Sequence, residues 1–206
     1  MFQNFLGNVR DSLFRHIPLM AASFTDDLTK LYSARYANRF LEQKTAWARR
    51  SRKNVTVLFM DVDNLKSVND RCGHLAGNRI LAEVGNIIKR EMRASDRACR
   101  YGGDEFVIVL PNTDAEAGTV IAERLRAALE QASFSCDACS NFGLTASFGV
   151  ASFPRHATDV GELLRLADAA MYEVKMKHKN GVRTAAPRKT ASPPECSGHV
   201  ARRVRQ

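Results

Sequence analysis

Two acidic clusters in this chain each sit beside strand-forming residues, and carboxylates so placed are candidates for holding a hard cation. Val55-Thr-Val-Leu-Phe-Met60 leads into Asp61-Val62-Asp63, and Gly102-Gly103 leads into Asp104-Glu105. Gathering half-buried carboxylates is costly unless a cation compensates, and divalent ions of the Mg²⁺ type take oxygen ligands of this kind. Either cluster alone reads as a polar loop or turn. Together, at a strand end and a hairpin tip, they make a meeting place for a divalent ion and a phosphate, with Gly102 and Gly103 leaving room for a ligand near the backbone. Downstream lie Lys66, Asn69 and Asp70, then Gly73-His74-Leu-Ala-Gly77-Asn78. These types hold nucleotide bases and phosphates, and they are also ordinary turn and capping residues. Cys136-Asp-Ala-Cys139 has the spacing of a metal or redox pair, but no second pair of ligands stands at zinc spacing, so it reads as incidental.

The elements that must position these groups alternate between helix and strand. The apolar run 55–60 has strand length and the character of a strand buried on both faces. Arg97–Tyr101 and Phe106–Leu110 flank the glycines as a hairpin, with the glycines supplying the positive φ of a tight turn. Residues 34–50 read as a helix. Ile80, Leu81, Val84, Ile87 and Ile88 form one helical stripe, and Val120, Ile121, Leu125 and Leu129 another, after Pro111-Asn-Thr-Asp114. Leu144 to Phe153 reads as a strand containing Gly149, and Val160 to Val174 as a last amphipathic helix. Residues 66–78 read as a loop and a helix start. The fold class is therefore α/β (α+β), a mixed central sheet flanked by helices.

The chain has 206 residues, 45% of them apolar and 26% charged, which suits one globular domain with extensions. Residues 1–25, with Phe2, Phe5, Leu6, Val9, Leu13, Phe14 and Ile17 at helical spacing, are expected to form an amphipathic helix and linker. Residues 26–183 form the main domain. Residues 184–206, rich in Pro, Ser, Thr and Arg, are expected to be a disordered basic tail. No stretch approaches the roughly 18 to 20 apolar residues of a membrane span, and no secretory signal is evident. Five cysteines without such a signal suggest reduced thiols in a cytoplasm. The net charge of +9 suits anionic ligands, but without interleaved aromatics in the tail no nucleic-acid partner is expected.

Arg100-Tyr-Gly-Gly-Asp-Glu-Phe106 resembles the signature of the GGDEF family, the diguanylate cyclases that condense two GTP into cyclic di-GMP with release of two pyrophosphates. The resemblance extends from Asp26-Asp-Leu-Thr-Lys-Leu31 through Phe59-Met-Asp-Val-Asp-Asn-Leu-Lys66, Asn69-Asp70 and Gly73-His74 to Ala146-Ser-Phe-Gly-Val-Ala151 and Ala167-Asp-Ala-Ala-Met-Tyr172. It implies the mixed-sheet fold of nucleotidyl cyclases. It also implies two Mg²⁺ or Mn²⁺ ions per half-site, held by Asp61, the carbonyl of Val62, Asp104 and Glu105. Asp104 and Glu105 would be the catalytic pair, with Asp104 helping to remove the 3′-hydroxyl proton. Asp63 stays outside the ligand set. Asn64, Leu65, Lys66, Lys175 and Lys179 would hold the β- and γ-phosphates, Gly102 and Gly103 would admit the substrate, and Asn69 and Asn78 would meet guanine.

The resemblance further implies product inhibition at an RxxD site, Arg93 and Asp96 with Arg124 from a neighbouring domain, and a homodimer that brings two half-sites together. An upstream sensory domain or partner protein would supply the input. The sequence departs from the family pattern at several points. Lys30 stands for glycine, Ser33-Ala34 for Asn-Arg, His178-Lys179 for Gly-Arg, and Asn78 for aspartate. A carboxylate accepts from both N1–H and N2–H₂ of guanine, whereas an amide offers one acceptor and one donor. Two alternatives follow: a relaxed cyclase that also makes cyclic GMP-AMP, or a non-catalytic module that binds nucleotide or cyclic di-GMP.

Overall fold

Val55 to Phe59, apolar but for Thr56, are buried on both faces, and this strand organises the molecule. The computed structural model describes residues 24–136 and 139–188. The expected N-terminal helix over residues 2–17 and residues 189–206 of the expected tail lie outside the described residues; the tail does not begin at 184 as expected, because Thr184 belongs to a strand and Ala185 is buried, its N–H donating to the Val150 carbonyl at 2.8 Å. In chain order the elements are β1 (Tyr32–Ser33), α1 (Ala34–Ser51), β2 (Val55–Val62), α2 (Leu65–Cys72), α3 (His74–Glu91), β3 (Arg97–Gly102), β4 (Glu105–Pro111), α4 (Ala115–Gln131), β5 (Phe134–Cys136), β6 (Cys139–Phe142), β7 (Ala146–Phe153), α5 (Val160–Lys177) and β8 (Val182–Thr184). Six strands form one mixed sheet in the order β1-β3-β4-β2-β7-β8, parallel at both edges and antiparallel in the middle. β5 and β6 form a separate hairpin.

Alternation along the strands sends two sets of side chains to two cores. Leu58, Met60, Phe106, Ile108 and Phe148 meet Ile80, Val84 and Ile88 of α3 and Ile121 and Leu125 of α4. Val57, Phe59, Val107 and Val109 meet Ala37 and Leu41 of α1 and Leu163, Ala167 and Met171 of α5. At Gly149 of β7 a Cβ would stand 1.9 Å from the Ala167 carbonyl oxygen, so this glycine is what lets α5 lie directly on the sheet. That close approach sets where Lys175, two turns further along α5, reaches the strand ends.

Four further expectations need correcting. The segment after Asp63 contains the two-turn helix α2, where a loop was expected. The hairpin forms, but neither Gly102 nor Gly103 has a positive φ; Gly73, at the junction of α2 and α3, does. Cys72 and Cys136 are joined in a disulfide, with Cα atoms 6.2 Å apart, so these two are not reduced thiols and Cys136 is not incidental. The pairing was invisible in sequence because 64 residues separate the partners. Cys99 is a free thiol, pushed up to about 12 by burial and so chemically quiet.

Candidate active site

The antiparallel pairing of β2 and β4 sets Asp61 opposite Glu105, and that of β2 and β7 sets it opposite Ser147. The two acidic clusters of the sequence therefore converge at one end of the sheet. Asp61 is 5% exposed. Its Oδ1 lies 2.5 Å from Lys175 Nζ, an ion pair. Burial is the main reason the Asp61 carboxyl is pushed up to about 6; Asp104 and Glu105 add to the rise, and Lys175 opposes it. Glu105 is raised too, by burial first and then by Asp168 and Asp104. Carboxyls that resist ionising together are relieved by a cation, and this is the chemical fit to Mg²⁺ or Mn²⁺. Among the described residues no group of three or more His, Cys, Asp or Glu side chains is gathered so as to hold a metal ion by itself. Asp61, Asp104, Glu105 and the Val62 carbonyl offer only oxygen atoms, the donor type that Mg²⁺ takes alongside phosphate and water.

Arg100 shapes the hairpin tip beside these acids. Its Nε and Nη2 donate to the Gly103 carbonyl at 3.0 and 2.8 Å, and its Nη1 lies 3.3 Å from Asp26 Oδ2. Asp104 is held from the other side, where Val62 N–H donates to its carbonyl at 3.2 Å. The tip is thus fixed by a guanidinium clamp where glycine φ had been the expectation. A Cβ at Gly102 would stand 3.1 Å from Glu105 Oε2, so the absence of a side chain there leaves the carboxylate its room.

Of the residues expected to hold phosphates, Asn64, Leu65, Lys66 and Lys179 gather around the start of α2, whereas Lys175 meets Asp61. Asn64 sits just before the helix with φ 60, Leu65 opens it, and Lys66 is exposed in its first turn. Lys179, from the turn after α5, donates from Nζ to Asn64 Oδ1 at 2.6 Å, 115 residues away in sequence. Asn69 lies in the second turn of α2, and its Oδ1 is buried with no hydrogen-bond partner. A Cβ at Gly77 would come within 1.9 Å of that oxygen, so Gly77 admits the Asn69 amide against α3. Asn78 is the next residue and is exposed.

The sequence profile "Diguanylate cyclase, GGDEF domain" matches residues 23–181. The chain belongs to the GGDEF domain family. Among curated relatives it is similar to diguanylate cyclase A of Treponema denticola, 38% identical over 64% of this chain and 35% of that protein. It is also similar to diguanylate cyclase DosC of Escherichia coli K12, 33% identical over 86% of this chain and 40% of that protein. The chain therefore spans about two fifths or less of these relatives' lengths. Among solved structures it resembles the isolated GGDEF domain of YfiN (TpbB) from Pseudomonas aeruginosa, with a TM-score of 0.75, 33% identity, and coverage of 79% of this chain and 94% of that one. It also resembles the GGDEF domain of DgcB from Caulobacter crescentus in complex with c-di-GMP, with a TM-score of 0.73, 27% identity, and coverage of 78% and 92%.

Within this GGDEF domain the expected inhibitory residues lie apart from the acidic clusters, around the turn between α3 and β3. Asp96 is buried and caps its own turn, its Oδ2 accepting from Arg93 N–H at 3.1 Å and its Oδ1 from the Ser95 hydroxyl at 3.1 Å. Arg93 is exposed. Arg124 reaches over from α4 and is paired with Glu91, Nε to Oε2 at 2.8 Å. Arg100, Asp26, Gly77 and Asp168 also bear on the site, though no motif spacing assigns them a role: the first two pair at the hairpin tip, Gly77 admits Asn69, and Asp168 raises the pKa of Glu105. Arg100 and Asp26 lie inside recognised motifs, but nothing in the sequence says that they touch.

Proposed function

We propose that this chain is a diguanylate cyclase domain that condenses two GTP into cyclic di-GMP and two pyrophosphates. The observation that carries the reading is Asp61: a buried carboxylate with a raised pKa, opposite Glu105, beside Asp104, and in contact with Lys175. The β- and γ-phosphates would lie against the Asn64 and Leu65 amides, Lys66, Lys175 and Lys179. Guanine would meet Asn69 and Asn78. Two divalent ions held by Asp61, the Val62 carbonyl, Asp104 and Glu105 would neutralise the triphosphate and acidify the attacking hydroxyl. Asp104 would take the 3′-hydroxyl proton as that oxygen bonds to the α-phosphorus of the facing nucleotide and pyrophosphate departs. The same exchange in the opposite direction closes the ring.

Each domain would hold one nucleotide, so turnover requires a homodimer. Cyclic di-GMP would return to the RxxD site at Arg93 and Asp96, joined by Arg124 of a neighbouring domain, and hold the half-sites apart. We place the catalytic domain at residues 26–183 and the chemistry in the cytoplasm, where GTP is abundant. Among the described residues no helix is long and apolar enough to cross a membrane.

Asn78 favours a second reading. It is exposed and follows Gly77, against which the Asn69 amide packs, and with an amide in place of a carboxylate a base pocket there would discriminate less between guanine and adenine. Incubation with Mg²⁺ and GTP, ATP or an equimolar mixture, with products identified by mass, tests both readings. Cyclic di-GMP alone supports the first. Cyclic GMP-AMP that disappears in Asn78→Asp supports the second. No product at a concentration where the protein is dimeric would favour a non-catalytic binding module.

A further inference from the structure

Asp63 is a buried carboxylate to which the proposed chemistry assigns no role, yet its bonds lead to the phosphate end of the site. It is 1% exposed. Its Oδ1 accepts from the Ser147 hydroxyl at 2.8 Å, and its Oδ2 from the Thr145 hydroxyl at 2.8 Å and the Asn180 backbone N–H at 3.0 Å. Its own N–H donates to the Thr145 carbonyl at 2.8 Å. One side chain thus joins the end of β2, the start of β7 and the turn between α5 and β8.

That turn needs holding. Lys179 and Asn180 are consecutive residues with φ of 55 and 44, a left-handed pair that side chains bearing a Cβ rarely adopt. The Asn180 side chain is tied on the outside, accepting from Arg126 Nη1 at 2.9 Å and donating to Glu130 Oε1 at 2.7 Å. Asp63 ties its backbone on the inside. With the turn fixed at both ends, the Lys179 ammonium arrives 2.6 Å from Asn64 Oδ1, at the opening of α2.

We infer that Asp63 is a positioning residue that acts through Lys179: by fixing the 178–180 turn it sets the affinity for the terminal phosphates of the nucleotide and leaves recognition of the base untouched. The inference rests on the reading that GTP is the ligand. The buried oxygens of Asp63 are fully engaged by protein donors, so the carboxylate has no need of a metal, which sets it apart from Asp61 two residues earlier.

The test is equilibrium binding by the full chain of guanosine 5′-(α,β-methylene)triphosphate, which cannot lose pyrophosphate, and of GMP, which lacks the β- and γ-phosphates. Asp63→Asn keeps the shape but replaces one acceptor oxygen by a donor, and it is expected to weaken the triphosphate about tenfold, as for loss of a charge-assisted hydrogen bond. GMP affinity should stay within about twofold. In a Lys179→Ala background the same change should add less than about twofold, because both substitutions remove one pathway. If Asp63→Asn does not fold, Thr145→Val, which deletes one donor to the carboxylate, should show the same selectivity for the triphosphate. Equal losses for both ligands, no loss, or additive losses with Lys179→Ala would each overturn the inference. A wild-type chain that binds neither ligand would instead refute the GTP reading on which it rests.

Discussion

Lys175 Nζ stands 2.5 Å from Asp61 Oδ1, making a lysine from the last turn of α5 the counter-ion of the most buried carboxylate at the candidate metal position. The pair is assembled from residues 114 positions apart only because Gly149 lets α5 rest on β7. Lys175→Met should cost about 1 to 3 kcal/mol, below the range for a fully buried pair because Lys175 is about a quarter exposed. The check is chemical denaturation, and an unchanged midpoint would mean the contact carries no stability.

Asp61 also predicts how a divalent ion and pH are linked. Its pKa is raised from 3.8 to about 6, so in the folded chain without metal its ionisation opposes stability progressively as pH rises across that interval. An ion that binds the ionised form reverses this, and it competes with the proton below about pH 6. The Mg²⁺-induced rise in Tm should therefore be small at about pH 5 and grow to a plateau above about pH 7. A rise independent of pH would contradict the assignment of Asp61 as a ligand.

Lys30 occupies a left-handed position, φ 56, in the motif where the family carries glycine. A residue with a Cβ strains there, so Lys30→Gly should stabilise the domain by about 1 kcal/mol. A thermal melt of both proteins decides it; a lower Tm in the variant would show that the lysine side chain contributes more than its backbone costs.

Asp26 links the start of the domain to the hairpin tip through Arg100. Burial raises its pKa, but the Thr29 N–H and hydroxyl bonds and the Arg100 charge outweigh burial and leave it below 3.8. A depressed carboxyl adds stability that is present above the ordinary pKa and is lost as pH falls through the folded one. Asp26→Asn should thus cost about 1 kcal/mol near neutrality, with the deficit shrinking below about pH 4. Urea midpoints of the two proteins across that range supply the measurement.

Gly77 is predicted to matter through Asn69. A methyl group at 77 meets Asn69 Oδ1 at 1.9 Å, so Gly77→Ala must push the amide out of its place against α3. If Asn69 reads the base, GMP affinity should fall about tenfold while inorganic triphosphate binding is kept. Equal affinity for GMP in both proteins would remove Asn69 from the base site.

Much of this arrangement was legible in the sequence, because its strongest signals are local. The run from Val55 to Met60, the helical stripe from Ile80 to Ile88 and the glycines before Asp104 each announce an element, and two acidic clusters at element ends announce chemistry. The convergence of Asp61 with Glu105 followed from reading the first as a strand end and the second as an adjacent hairpin tip. What stayed hidden depends on distance in sequence. The Cys72–Cys136 disulfide, the Arg100–Asp26 pair, the Lys179–Asn64 bond and the triple engagement of Asp63 each join segments whose approach is set by packing of the whole sheet. Helix α2 was hidden for another reason: at two turns, opened by Asn64 with φ 60 and closed by Gly73 with φ 78, its capping residues look like those of a loop.

The most direct test compares wild type with Asp104→Ala, each incubated with Mg²⁺ and GTP, following pyrophosphate release and the mass of the nucleotide product. The account predicts that wild type releases two pyrophosphates per cyclic di-GMP formed, and that Asp104→Ala binds GTP but forms at least about a hundredfold less product, as for removal of a group acting on the reacting proton. Cyclic di-GMP formed equally well by both proteins, or by neither at concentrations where the chain is dimeric, would contradict it.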